Sequence, residues 1–171
     1  PLDFLVVTDH AESMGVFKAV AEGNIPEDGL GFLDKIIAFL AEKGMNYLLN
    51  DPNAISKLLK FSTAETTDVV ESAKVPANLP IPNSDKIQSN TWQASMKATD
   101  AANEPGVFSA IIGWEWSSIP AGANLHRVVF TASDASVAKQ FQPFASSQSN
   151  YPEDLWRWLD KPASETGADF I

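Results

Sequence analysis

The stretch LDFLVVTDHAE at residues 2–12 sets five apolar side chains, Leu2, Phe4, Leu5, Val6 and Val7, directly before Thr8, Asp9, His10 and Glu12. A short, nearly unbroken apolar run of this kind reads as a strand buried on both faces of a parallel sheet, covered by helices on either side. Asp9 and His10 then fall at the C-terminal end of the strand. That is the edge at which α/β sheets and barrels collect functional groups.

Working outward, GFLDKIIAFLAEKG (31–44) places Phe32, Ile36, Phe39, Leu40 and Lys43 at helical spacing, with Gly44 as its expected C-terminal cap. NDPNAISKLLKF predicts a second helix, with Asp51 as N-cap, Pro52 in the first turn, and Ile55, Leu58 and Leu59 on one face. The acidic stretch from Thr63 to Lys74 is open to a further helix, and VPANLPIPNS, with three prolines, reads as an extended connection. Residues 84–103 have a capping serine, few breakers, and Ile87, Trp92 and Met96 as buried positions. Val107 to Trp116 and Leu125 to Thr131 are rich in aromatic and β-branched residues around a Pro/Gly/Asn turn, so they read as two strands able to pair antiparallel. A final helix starts near Asn150 and Pro152, with Glu153 and Asp154 at its positive end and Leu155, Trp158 and Leu159 facing the core.

The 171 residues match one domain in length, and 44% hydrophobic residues, with ten Phe and five Trp, can build a real core. A formal charge of −10, from 22 acids against 12 bases with no basic run, argues against a nucleic-acid groove. No stretch approaches the roughly 18 apolar residues of a membrane span, so no membrane partner is expected. Without cysteine, any metal must sit on nitrogen and oxygen ligands. The compartment is left undetermined. The first residue is proline inside an apolar run, and GADFI stops where a strand begins, so the chain reads as a piece of a larger protein. Exposed sheet edges in such a piece would make self-association unsurprising.

If the two later strands pair, Glu115 ends the first, His126 starts the second, and both lie on one rim. Alternation puts Ile111, Gly113 and Glu115 on one face, the glycine leaving room beside the carboxylate. His10 and His126 are the two histidines of the chain. Two imidazoles and a carboxylate at strand ends suit Zn, Mn or Fe. Asp9 would support a ligand from the other side of the strand, or ligate directly at a bulge. The competing reading makes both imidazoles partners of backbone carbonyls and pairs Glu115 with Arg127. Asn124 and Arg127 flank His126 and suit an anionic substrate, or serve as rim hydrogen bonders. Glu12 is open to a role as loop ligand or helix-start acid, and reads best as solvated. Trp114, Trp116, Trp156 and Trp158 suggest a sugar-stacking surface, but core packing is favoured. No GxSxG elbow, phosphate-binding glycine loop or dinucleotide fingerprint occurs.

The blocks LDFLVVTDHAE, EPGVFSAIIGWEWSS, GANLHRVVF and YPEDLWRWL, in this order, resemble domain-of-unknown-function family 3604, a branch related to the PHP (polymerase and histidinol phosphatase) superfamily of metal-dependent phosphoesterases. The resemblance spans residues 1–171. It implies an α/β fold, a single partial domain forming part of a distorted (β/α)7 barrel truncated at both ends. His10, Glu115 and His126 would be metal ligands, Glu115 a bridging carboxylate, and Asp9 a catalytic neighbour; the first His-x-His motif and the last motifs have no counterpart in the sequence. It further implies a hydrolase acting on a small, phosphorylated substrate with two or three divalent metals. With so few ligands retained, this stretch alone would bind metal poorly. The alternative is a non-catalytic scaffold that keeps the strands.

Overall fold

A computed structural model describes residues 2–51, 53, 68–74 and 80–171. The elements are β1 (Phe4–Val7), α1 (Val16–Ala21), α2 (Phe32–Leu49), α3 (Val69–Ala73), α4 (Ser84–Ala102), β2 (Ser109–Ser118), β3 (Leu125–Thr131), α5 (Ala135–Ala138) and α6 (Pro152–Thr166). The three strands form one open sheet in the order β1-β2-β3. β1 runs parallel to β2 and β3 antiparallel to it. The fold is thus mixed α/β, and among the described residues the sheet does not close into a barrel.

β2 is the spine. Its residues Ile112, Trp114 and Trp116 are buried and meet Trp92 and Met96 of α4, Leu155 of α6, and Phe141 and Phe144 from the segment between α5 and α6. Trp114 is surrounded edge-on by Trp92, Trp158 and Phe170, with ring centroids 5.8, 5.9 and 6.0 Å away. Such T-shaped pairs set the positive ring edge against the negative face. Trp92 donates its indole N–H to the carbonyls of Ala138 and Phe141, which pins the chain after α5 onto α4. Trp116 does the same to Ser149. These tryptophans are packing residues, as the sequence favoured, whereas Trp156 is exposed.

α4 buries Ile87, Trp92 and Met96, the three residues its spacing predicts, although Asn83 rather than Ser84 takes the N-cap position. α6 follows the predicted start and ends on Gly167, whose left-handed φ of 73° a glycine adopts without Cβ strain. Two expectations are corrected. α2 does not stop at Gly44 but continues to Leu49. The continuation is held because Ala38, Ala41 and Met45 pack against Val16, Val20, Ile25 and Ile87, and Asn46 donates to the Ala21 carbonyl. The inward stripe is therefore this small-residue face, and Phe32, Phe39 and Leu40 are exposed. β1 is likewise not buried on both faces: it is an edge strand, with Phe4, Leu5 and Val7 all exposed. The helix predicted from Asp51 onward and the first half of the proline-rich connection, residues 75–79, lie outside the described residues. Of the acidic stretch, the described part is α3, capped by the Asp68 carboxylate on the amides of Val70 and Glu71.

Candidate metal centre

The sheet delivers three donors to one place through backbone pairing. Just beyond β1, His10 bridges Glu115 in parallel register. The Glu115 amide donates to the Asp9 carbonyl at 2.9 Å, and the Ala11 amide to the Glu115 carbonyl at 2.8 Å. On the other side, the β2–β3 register sets Ser117 opposite His126 and Glu115 opposite Val128. Alternate residues of a strand share a face, so Glu115, Ser117 and His126 are neighbours on one face while Trp116 and Arg127 turn to the other. Gly113 lies on the same face as Glu115, but it does not leave room. A Cβ there would come within 2.8 Å of the Val129 carbonyl oxygen and 2.9 Å of Val6 Cγ2, so the neighbouring strands already fill the space.

One donor atom from each of His10, Glu115 and His126 lies within 4.8 Å of the others. His10 Nδ1 is 3.7 Å from Glu115 Oε1, His126 Nδ1 is in close contact with the same oxygen, and the two imidazole rings are 5.5 Å apart. Donors around a shared Zn-sized cation sit roughly 3–4 Å from one another, given metal–ligand bonds of about 2.0–2.2 Å. The 3.7 Å between His10 Nδ1 and Glu115 Oε1 matches that spacing, and the set as a whole lies within 4.8 Å.

A family model described as "Protein of unknown function (DUF3604)" matches residues 1–171. The chain belongs to this family. No curated protein and no solved structure matches it.

In this DUF3604 chain the candidate centre contains one residue that sequence reasoning missed, Ser117, and one that it ranked as solvated, Glu12. Ser117 Oγ donates to Glu115 Oε1 at 3.0 Å and lies 2.7 Å from Nδ1 of both His10 and His126. A hydroxyl has one proton and two lone pairs, so Ser117 can hydrogen-bond to Glu115 and both imidazoles, in roles set by each ring's tautomer. The β2 alternation could have found it, since Ser117 is two residues beyond Glu115. The trio is not a nucleophilic serine relay. Ser117 and Glu115 both meet His126 at Nδ1, whereas a relay needs the hydroxyl on one ring nitrogen and the acid on the other.

Glu12, expected to be solvated, is instead built into the centre. Its Oε1 accepts from the Ser117 amide at 3.0 Å and the Ser146 amide at 2.9 Å, and its Oε2 is buried without a hydrogen-bond partner. No sequence pattern announces this, because the two donors are backbone groups 105 and 134 positions away.

Other candidates stand apart. Asp9 is exposed and contributes its carbonyl to the β1–β2 strap. Asn124 is exposed immediately before β3. Arg127 folds back to donate to the His126 carbonyl at 2.8 Å from the far face of the sheet. Glu115 is therefore engaged by His126 and Ser117 rather than by Arg127. The hydroxyl of Ser117, not a backbone carbonyl, is the shared partner of the imidazoles. Among the described residues, no helix is long and apolar enough to cross a membrane.

Proposed function

We propose that the protein is a metal-dependent hydrolase, with a phosphoester as the substrate class, built on a PHP-like barrel that holds two or three divalent ions in the full-length protein. The observation that carries this reading is the convergence of His10, Glu115 and His126 within 4.8 Å at one sheet edge. The chemistry of the set supports it: two imidazoles and a carboxylate are a usual N/O ligand group for Zn, Mn or Fe. One such ion, when bound, would supply a water acidified toward neutrality and a positive charge for the leaving oxygen.

The chain's own residues do the rest. His10 and Glu115 are held by adjacent strands whose backbone bonds fix their separation, and His126 is locked by the β2–β3 register, so the donors are pre-positioned on rigid elements. The Ser117 hydroxyl orients both rings. Asp9, beside His10 at the exposed rim, is assigned the role of accepting a proton, and Asn124 that of meeting an anionic substrate, whereas Arg127 stays on the far face of the sheet.

Calorimetric titration of the full-length protein and its His126→Ala variant with Mn(II) and Zn(II), together with p-nitrophenyl phosphate hydrolysis, tests the reading. Expected are metal binding and metal-dependent turnover by the wild type, with both lost in the variant and the fold retained. Absence of metal binding, or turnover unchanged in His126→Ala, overturns it. Metal binding without hydrolysis of any phosphoester would leave a cation-dependent scaffold.

A further inference from the structure

Glu12 spends one carboxylate oxygen on two backbone amides and leaves the other buried and unpartnered. A buried carboxylate oxygen lacking a donor carries a desolvation cost of roughly 1–3 kcal/mol or more, so natural sites rarely keep one without a positive partner. The ion-pair partner within reach is His10, whose Nδ1 lies 3.9 Å from Oε2, beyond hydrogen-bond distance. His10 Nδ1 is at nearly the same distance, 3.7 Å, from Glu115 Oε1. Two carboxylates thus lie within 4 Å of one imidazole nitrogen. Glu12 is too far from the whole trio to join its 4.8 Å donor group.

We propose that Glu12 is a cation-facing carboxylate of the centre: Oε1 anchors the side chain on Ser117 and Ser146, and Oε2 serves the bound divalent ion, across a water of its hydration shell rather than by direct ligation. This rests on the proposed metal site and adds a residue to it. The anchoring explains why the carboxylate is held at a fixed distance. Two amide donors on one oxygen leave the side chain little rotational freedom, and they originate from β2 and from the segment leading into α6. Outer partners of this kind typically change metal affinity about 10- to 100-fold when altered.

The test is Glu12→Gln, which keeps an oxygen for the two amides but removes the charge. Mn(II) and Zn(II) affinities are measured by calorimetry on the full-length protein and its variant, and the metal-induced rise in melting temperature is taken relative to each protein's own apo state. Expected is an affinity about 10- to 100-fold weaker, a smaller metal-induced rise, and an apo far-UV spectrum like the wild type. Equal affinity and equal rise overturn the assignment while leaving the His10–Glu115–His126 reading intact. Failure of the wild type itself to bind metal removes both. Should Glu12→Gln not fold, Glu12→Asp, which keeps the charge but shortens its reach, takes its place, and wild-type affinity there overturns the assignment.

Discussion

Gly113→Ala and Gly44→Ala apply the same chemical change to two glycines, with opposite expected signs. At Gly113, in the middle of β2, an added methyl meets the Val129 carbonyl oxygen at 2.8 Å, Val6 Cγ2 at 2.9 Å and Phe130 Cβ at 3.1 Å. Carbon atoms do not settle at such separations, and two of the three obstacles belong to the backbone or to a Cβ, which cannot swing aside. The strands on both sides of β2 must therefore move outward. Overpacking of this kind costs typically about 1–3 kcal/mol. At roughly 2–4 °C per kcal/mol for a chain of this size, the melting temperature should fall by about 2–12 °C. Gly44 lies inside α2, where a Cβ meets nothing within 4 Å. There the alanine removes the conformational penalty of glycine in a helix, a gain of roughly 0.5–1 kcal/mol. Thermal unfolding followed by circular dichroism compares the two. A Gly113→Ala protein melting at or above the wild-type temperature would refute the claim that the sheet is close-packed at this point. Because Gly113 is two residues before Glu115, the same variant should also loosen metal binding.

Leu155→Ala empties a position in α6 that is 1% exposed, and should cost about 2–5 kcal/mol in chemical denaturation, with a loss below 1 kcal/mol contradicting its place in the core. Asp134 caps α5, and the Ser136 hydroxyl, followed by the amides of Ser136 and Val137, holds its carboxyl below the usual carboxylate range. A lowered folded-state pKa means its stabilisation is complete above the ordinary value of about 4 and is lost as pH falls through the lowered one. The melting difference between wild type and Asp134→Ala should accordingly be constant from neutral pH down to about 5 and narrow below about 4; a difference growing on acidification would reverse the assignment.

Much of the architecture could be read from residues whose partners are near in sequence or set by periodicity. β3 begins and ends where Leu125 and Thr131 predict, and α4 buries the three side chains its 3.6-residue spacing selects. The placement of Glu115 and His126 on one face of the antiparallel β2–β3 pair followed from one short turn between two strands. The failures share a cause. Gly44 is a helix-stop signal in isolation, but Met45 and Asn46 find tertiary partners that carry α2 past it. The apolar run of β1 promised burial, yet burial depends on what lies beside an edge strand, which local pattern does not encode. Glu12 looks like any acid after a strand, and only the approach of Ser117 and Ser146 distinguishes it.

The contacts that assemble the centre are long in sequence: Ser117 reaches His10 across 107 positions, and Glu12 reaches Ser146 across 134. Closing such loops is entropically costly until the intervening helices have docked, so in time these bonds form late. An immature or partly unravelled chain offers an ion isolated histidines and acids, never the gathered set. A divalent ion would then act as a selector for the finished molecule, adding its binding energy only to chains whose two ends have already met.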